Sequence, residues 1–570
     1  MRKTWKMKPV DETQVTQLAK EMSVPPLLAR LLIHRGAGTP QEASDFLCAD
    51  LGSLPSPSLM AELDKGVQRI RQAAARGEKI LVVGDYDVDG LTSTAILVRV
   101  LRDELKADVS WHVPDRITDG YGLKEPVIEE GIRAGVKLLI TVDCGTTAFK
   151  ELSLARQGGM EAVVVDHHEL CLGRRPPCSA FLNPLQPGCR YPNKDLASVG
   201  VAFTLARGLL GEFQKHAWDH LDLVALGTVA DLSSLVGENR ILVRAGLHRL
   251  QGTLKPGLRA LLSQTKLQGQ RLTSEEISFL LGPRLNAMGR VGSARAALQL
   301  LITEDPEEAR AIVGRMNQQN RTRAALEREA FRRALAKVER EVNFARERVI
   351  VLEDERWHPG VIGIIATRLA WRFNRPTVVI AGSGSVCRGS ARSIRAFPLL
   401  EALEQVKEHL SEFGGHPGAA GLTIARDRIG PFREALNRVA HERIDPQMLT
   451  PSLEMDGELP LSSLTDELMR GLERLAPFGA GNPWPIFVSQ DAQIPLAKRE
   501  TPFSPWGIRF FVEDGQGRSF LVLQPRQEME EGWNVRRIPG GPVTLVYSPM
   551  IRFGQTDKSA IELRLCDLRI

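Results

Sequence analysis

Three aspartates at alternate positions, Asp85, Asp87 and Asp89, stand within KILVVGDYDVDGLTSTAILVRVL at 79–101. In extended backbone, residues two apart point the same way, so this spacing gathers carboxylates at one place. Charges of one sign held so close repel unless a cation neutralises them, and hard oxygen ligands suit Mg²⁺ or Mn²⁺. The apolar run ILVV before them reads as a buried strand. Gly90, followed by Thr92, Ser93 and Thr94, reads as a tight turn into a helix whose N-terminal N–H groups can hold an anion. Taken alone, a DxDxD pattern is equally a solvated acidic turn. The rest of the chain shifts the balance.

Two further strand-like runs end in candidate ligands. KLLITV at 137–142 leads into Asp143, and AVVV at 162–165 leads into Asp166, His167 and His168. An open parallel sheet keeps its ligand crevice at the carboxyl ends of its strands, so three such ends together point to a metal site. Two adjacent imidazoles cannot both face inward from a strand, and at least one is expected to face the crevice. LDLVALGTVAD at 221–231 reads as an apolar helix that delivers Asp231, a residue type rarely buried without a partner. By itself that aspartate would be a helix cap.

Elements that position these groups follow from periodicity. Apolar runs of strand length alternate with amphipathic helices from residue 79 onward, the signature of βαβ units around a parallel sheet. GPRLNAMGR at 282–290 reads as a loop whose Arg284 and Arg290 either track a nucleic acid backbone or cap helices. A long helix is expected from 306 to 342, with Phe331, Leu335, Val338 and Val342 as one apolar stripe amid arginines. A stripe that narrow predicts a bridge between two lobes. The second lobe shows strand-like RVIVL and TVVIA around a helix near 361–371. Arg388, Ser390, Arg392 and His416 lie in its glycine-rich segments and supply phosphate-binding groups. Beyond residue 450, prolines and short alternating runs predict a small β-barrel. Its aromatics, Phe503, Trp506, Phe510, Phe511, Phe520 and Tyr547, are interleaved with Lys498, Arg509 and Arg518; most are expected to fill the barrel, leaving one or two to stack on bases.

The chain's 570 residues imply several domains, and its 43% hydrophobic content provides core for them. A net charge of +5 is small for this length and only hints at an anionic partner. Seven cysteines without a CxxC pair argue against a disulfide framework or zinc ribbon. The first residues lack the apolar core of a signal peptide, and no apolar run is long enough to span a bilayer. A cytoplasmic protein without a membrane partner is the expectation.

GDYDVDG at 84–90, VDCG with Asp143, the Asp-His-His triplet at 166–168 and VADLSSL with Asp231 resemble the four successive motifs of the DHH phosphoesterase superfamily. CRGSARS at 387–393 and GGHPGAAG at 414–421 resemble the motifs of its accompanying DHHA1 domain. Within that superfamily, HVPDRITDGYGL at 112–123, GPRLNAMGR and PFGAGNPWPIF at 477–487 are similar to the RecJ family of bacterial single-strand-specific exonucleases.

The resemblance implies an α/β fold in which a DHH parallel-sheet domain (76–300) is joined by a long helix (301–345) to a smaller α/β DHHA1 domain (346–445). An oligonucleotide-binding (OB) β-barrel (446–570) follows, and an N-terminal helical segment (1–75) packs on the catalytic domain. The implied activity is two-metal 5′→3′ hydrolysis of single-stranded DNA to 5′-mononucleotides in recombination and repair. Carried over by motif, Asp87, Asp89, Asp143, His167 and Asp231 are the metal ligands for two divalent cations, Mg²⁺ or Mn²⁺. Asp143 lies centrally between them, and Asp85 is adjacent and catalytic. His168 is expected to contact the phosphate or transfer a proton, and Asp166 to orient His167. Arg116 is the candidate for the 5′-phosphate, and Arg284, Arg290, Arg388, Ser390, Arg392 and His416 for the rest of the substrate. The implied partners are single-stranded DNA and, by family analogy, a RecQ-type helicase and a single-stranded-DNA-binding protein. Two rivals remain: a small-substrate member acting on short oligonucleotides or cyclic dinucleotides, and a non-catalytic DNA-binding scaffold.

Overall fold

The computed structural model describes all residues except 1–2, 117, 172, 383, 396, 496–506, 526–539 and 554–558. Its first lobe is built on five parallel strands in the spatial order Val109–His112, Ile80–Val83, Leu138–Val142, Glu161–Val165, Ala180–Leu182. Ile80–Val83 and Leu138–Val142 are buried at every position, as strands covered on both faces by helices must be. From Ile80–Val83 the chain first adds a strand on one side and then crosses to the other. The gap between these two central strands is therefore the topological switch point, where such sheets open a crevice. The register pairs Val83 with Thr141 and Val142 with Val165, so the residues after all three strands emerge at one edge.

Helix Val88–Arg99 is buried along its whole length among Ser198–Leu210, Leu221–Ala230 and Ala294–Ile302. Its entry depends on Gly90, where a Cβ would stand 2.6 Å from the backbone N and O of Asp85. Glycine lets the carboxylate turn fold back onto the helix start.

The long helix spans Pro306–Glu341, with the Asp305 side chain accepting from the Glu307 N–H at its start. Its first half buries Ala309, Ile312, Val313 and Met316 in the first lobe; its last half buries Ala330, Ala334, Leu335 and Val338 in the second. It is the expected bridge. The second lobe carries a mixed sheet in the order Glu412–His416, Ala419–Ala425, Val386–Arg392, Thr377–Ala381, Ile350–Asp354, with helix Ile362–Phe373 as the crossover between the two parallel strands.

Past residue 450, strands Phe487–Ile494, Gly507–Glu513, Ser519–Pro525, Ser559–Arg569 and Gly541–Phe553 pair in that order, and the last pairs back to the first. This closes the OB barrel and removes its edges. Phe510, Phe520 and Tyr547 fill it together with Phe487, and Phe511 is half-buried. Lys498, Phe503 and Trp506 lie outside the described residues.

Two expectations are corrected. The segment 1–75 divides: strand Thr4–Met7 pairs with Ser452–Met455, and helices Glu12–Met22, Pro26–Ile33 and Pro40–Cys48 share a core with the barrel. Only the part from Ala49 onward joins the first lobe, chiefly through helix Leu63–Ala75. Amphipathic helices show which face is buried but not against what. Arg240 ties the three parts together: its guanidinium donates to the carbonyls of Phe46, Arg474, Leu475 and Ala476. GPRLNAMGR, read as a loop, is helix Gly282–Val291, with Pro283 in the first turn where its missing N–H costs nothing.

Candidate metal centre

At the switch-point edge the carboxylates and imidazoles converge. Three overlapping groups each bring one donor atom per residue within 4.8 Å of the others: Asp85 with Asp87 and Asp143, Asp89 with His167 and Asp231, and Asp143 with His167 and His168. Asp143 and His167 are each shared by two groups.

Each side chain is held by local structure. Asp87 caps helix Val88–Arg99, one oxygen accepting from the N–H groups of Asp89 and Gly90 at 2.9 and 3.1 Å. Asp89 lies inside the first turn, and its two oxygens accept from the N–H groups of Ser198 and Val199 at 2.8 and 2.9 Å, so a second helix N-terminus steadies this carboxylate. Asp143 takes up φ +58°, a left-handed conformation that aspartate tolerates, and accepts from the Ser198 hydroxyl at 3.0 Å. Asp231 ends helix Leu221–Ala230 and accepts from the Ser233 hydroxyl at 2.5 Å.

The two histidines are held differently. His167 Nδ1 lies 3.1 Å from the Leu196 carbonyl oxygen, which can only accept, so Nδ1 carries the proton. Nε2 then faces Asp143 and Asp89, 3.5 and 3.9 Å away, where the carboxylate charges outweigh burial and favour a proton that a cation would displace. Asp166 does not orient this ring. Fully buried, it accepts from the backbone N–H of His167, from the N–H of Thr146 and, at 2.7 Å, from His168 Nδ1. The imidazole that Asp166 governs is therefore that of His168, because the turn after Val165 carries the His167 ring away to Leu196.

Without a cation the site is electrostatically frustrated. Burial, then the charge of Asp231, pushes Asp89 up to about 7. Burial, then Asp89 and Asp87, raises Asp143, and burial, then Asp87, raises Asp85. Burial disfavours charge on His168, but its hydrogen bond to Asp166 together with the charges of Asp166 and Asp143 outweighs this and raises it to about 9. The Asp85 Oδ1 atom is buried and has no hydrogen-bond partner. An orphaned oxygen, mutually repelling carboxylates and a correctly turned imidazole form a donor set that fits hard divalent cations.

Beside this cluster lies a concentration of guanidinium groups. Arg290 is held down at about 9 by burial and then by the charges of Arg116, Arg323 and Arg392. Arg116 stacks over Tyr86, 5.0 Å from the ring centre, beside Asp85. Arg392 comes from the second lobe, donating to Ser390 Oγ at 3.2 Å. Arg388, Ser390 and Arg392 alternate with the core residues Cys387, Gly389 and Ala391 along one strand and share a face. His416, exposed on the neighbouring hairpin, senses Arg392 from its own lobe and His168 and Asp231 from the other. Several cations within mutual reach, contributed by both lobes, favour an anion between the lobes. Arg284 neighbours Arg323 but donates to Asn317 Oδ1 and the Leu280 carbonyl, so tying its helix to the long one.

Family models match three stretches of the chain: the DHH family N-terminal domain at residues 79–228, the DHHA1 domain at 346–442 and the RecJ OB domain at 455–519. The single-stranded-DNA-specific exonuclease RecJ of Bacillus subtilis is 35% identical over 544 residues, which are 95% of this chain and 68% of that protein. The chain belongs to the RecJ family. RecJ of Escherichia coli is 35% identical over 499 residues, covering 84% of this chain and 85% of that one. The crystal structure of Thermus thermophilus RecJ with Mn²⁺ superposes with a TM-score of 0.82 at 29% identity, covering 100% of this chain and 79% of that chain. A Mg²⁺ complex from the same organism gives 0.76 at 28% identity, with 100% and 78% covered.

Sequence reasoning did not single out Ser198, Leu196, Tyr121 or Arg323. Tyr121, whose hydroxyl donates to the Asp143 carbonyl at 3.2 Å, sits in the DGYG stretch beside Arg116 and was within reach of that motif. Ser198 and Leu196 carry no local signal, since their partners lie 109 and 29 residues away in the chain.

Proposed function

We propose that this RecJ-family chain hydrolyses single-stranded DNA from its 5′ end and releases 5′-mononucleotides, using two divalent cations, Mg²⁺ or Mn²⁺. One observation carries the reading: overlapping ligand groups share Asp143 and His167 at the strand ends of the first lobe, and beside them Arg116, stacked over Tyr86, and Arg290 lie within electrostatic reach of each other and of Arg392 from the second lobe. Cations bound there would neutralise the scissile phosphate and make a water nucleophilic, so no covalent protein nucleophile is needed.

In this reading Asp85, Asp87, Asp89, Asp143, His167 and Asp231 hold the ions. Asp85 joins the ligand-bearing set because of its orphaned oxygen. His168, kept protonated near neutral pH by Asp166, faces the phosphate as a hydrogen-bond donor or proton source. Arg116, Arg290 and Arg392 grip the phosphates toward the 5′ end, with Ser390 and His416 closing from the second lobe. Arg388 shares that face as an outer phosphate contact. The unit around 76–300 performs hydrolysis, the helix across 301–345 sets the gap to the gripping lobe at 346–445, and the barrel at 446–570 guides the incoming strand. No helix among the described residues is long and apolar enough to cross a membrane, consistent with a DNA-acting protein of the cytoplasm. A helicase that unwinds duplex and a single-strand-binding protein are the proposed partners.

Rates on a long single strand, a blunt duplex and dinucleotides, each with Mn²⁺, test the substrate class. Selective degradation of the long strand is expected; faster turnover of dinucleotides would replace this reading with that of a small-substrate phosphodiesterase.

A further inference from the structure

Leu232 follows Asp231 directly, with φ at +66°, and is 70% exposed. Seven non-glycine residues adopt positive φ among those described: Ser23, Glu62, Lys106, Asp143, Leu232, Lys266 and Asn374. Leu232 alone in that set is apolar. A left-handed conformation brings a branched side chain's Cβ against its own carbonyl and costs free energy that glycine or asparagine would largely avoid.

The surrounding backbone enforces the conformation. Ser233 is bonded to Asp231, the Ser234 N–H donates to Asp195, the Leu235 N–H to the Ala480 carbonyl and the Asn239 side chain to the Ser234 carbonyl. Strain that is fixed from both sides and lies beside a functional cluster is characteristic of a position with a task. Burial is not that task, since the side chain projects into solvent. Its place is defined by Asp231, a member of one ligand group and sensed by His416 of the opposite lobe. Leu232 follows with its Cα about 3.8 Å further along the chain, so its exposed side chain starts beside that ligand group.

The geometry points to Leu232 as an apolar contact for a nucleoside flanking the scissile phosphate, a positioning and specificity residue. This rests on the exonuclease reading. A phosphate drawn to the carboxylate cluster leaves its deoxyribose and base beside it, where they can use an apolar surface. A leucine forced outward at that spot supplies one, independent of base identity, because every base has an apolar face.

Leu232→Gly and Leu232→Asn both accommodate the left-handed backbone, so neither is expected to lower the melting temperature. On a single-stranded oligonucleotide with Mn²⁺, each is expected to raise KM about fivefold or more with kcat little changed, the pattern of a lost binding contact. Leu232→Met, which restores an apolar side chain, should return KM to within about twofold of the parent. A strand with tetrahydrofuran abasic units at its first two 5′ positions should erase the difference between parent and variants. Unchanged KM in both Gly and Asn variants, or an equal loss on normal and abasic strands, overturns the inference.

Fluorescence anisotropy of the same strands in Ca²⁺ separates this from failure of the exonuclease reading. A parent protein that binds but never cuts defeats the exonuclease reading alone, and the anisotropy of the variants then decides the role of Leu232. Parent and variants that bind equally defeat the Leu232 contact alone. Absence of binding by the parent defeats both.

Discussion

Lowering the pH of the metal-free protein should weaken Mn²⁺ binding by an amount that follows from Asp89. Its folded pKa of about 7 stands above the ordinary 3.8, through burial and then the charge of Asp231. The unfolded chain therefore binds fewer protons between these values, and the metal-free protein loses stability as pH rises from about 4 to about 7. A cation removes that penalty only where the proton has already left. At about pH 5.5 the Asp89 proton must be displaced, which costs about 1.5 units of 1.36 kcal/mol, or about 2 kcal/mol and about a thirtyfold loss of affinity relative to about pH 8. Asp85 and Asp143 are raised in the same direction, so thirtyfold is a lower bound. Calorimetric titration of Mn²⁺ at both pH values, in buffers of different ionisation enthalpy, reads affinity and proton release together. At least one proton released at the lower pH is expected. Equal affinities without proton release would refute the assignment of these buried carboxylates as the ligands.

Other perturbations follow from the same geometry. Asp143→Asn removes a buried charge from among like charges while keeping an acceptor for Ser198. It should raise the melting temperature of the metal-free protein and abolish its upward shift with Mn²⁺, while hydrolysis falls by about a thousandfold or more. His168→Ala should lower kcat by about 10²–10⁴ and leave Mn²⁺ affinity, measured by the same calorimetry, within about tenfold; full activity would remove His168 from the chemistry. Arg240→Ala leaves four backbone carbonyls without their donor where the N-terminal helices, first lobe and barrel meet, and should destabilise by about 3–5 kcal/mol in denaturant melting without changing KM.

The cluster of carboxylates and imidazoles was legible because its chemistry is local. Alternating aspartates after an apolar strand, and an Asp-His-His triplet after another, announce themselves through side-chain period and strand ends. The bridging helix was legible for the same reason: its apolar stripe shows in periodicity. Long-range arrangements were not. Asp89 is steadied by the Ser198 and Val199 N–H groups, and backbone donors have no residue type to reveal them. The ring governed by Asp166 depends on how the turn after Val165 splays two neighbouring imidazoles, which neither residue's identity encodes. Helices Glu12–Met22 to Pro40–Cys48 are amphipathic, but nothing in their pattern says that the covering surface is the barrel some four hundred residues later. In Gly282–Val291, the glycines suggested a loop, yet Pro283 sits in the first turn where it is tolerated and packing against the long helix overrides the weak helix propensity of glycine.

The central claim is tested most directly by a single-stranded DNA labelled at its 5′ or its 3′ end, incubated with the protein and Mn²⁺ or Mg²⁺ beside an Asp143→Ala variant and a blunt duplex. Early appearance of a labelled mononucleotide from the 5′ label alone is predicted, absent with the variant and with the duplex. Tight strand binding without metal-dependent cleavage, or early release from the 3′ label, would contradict it.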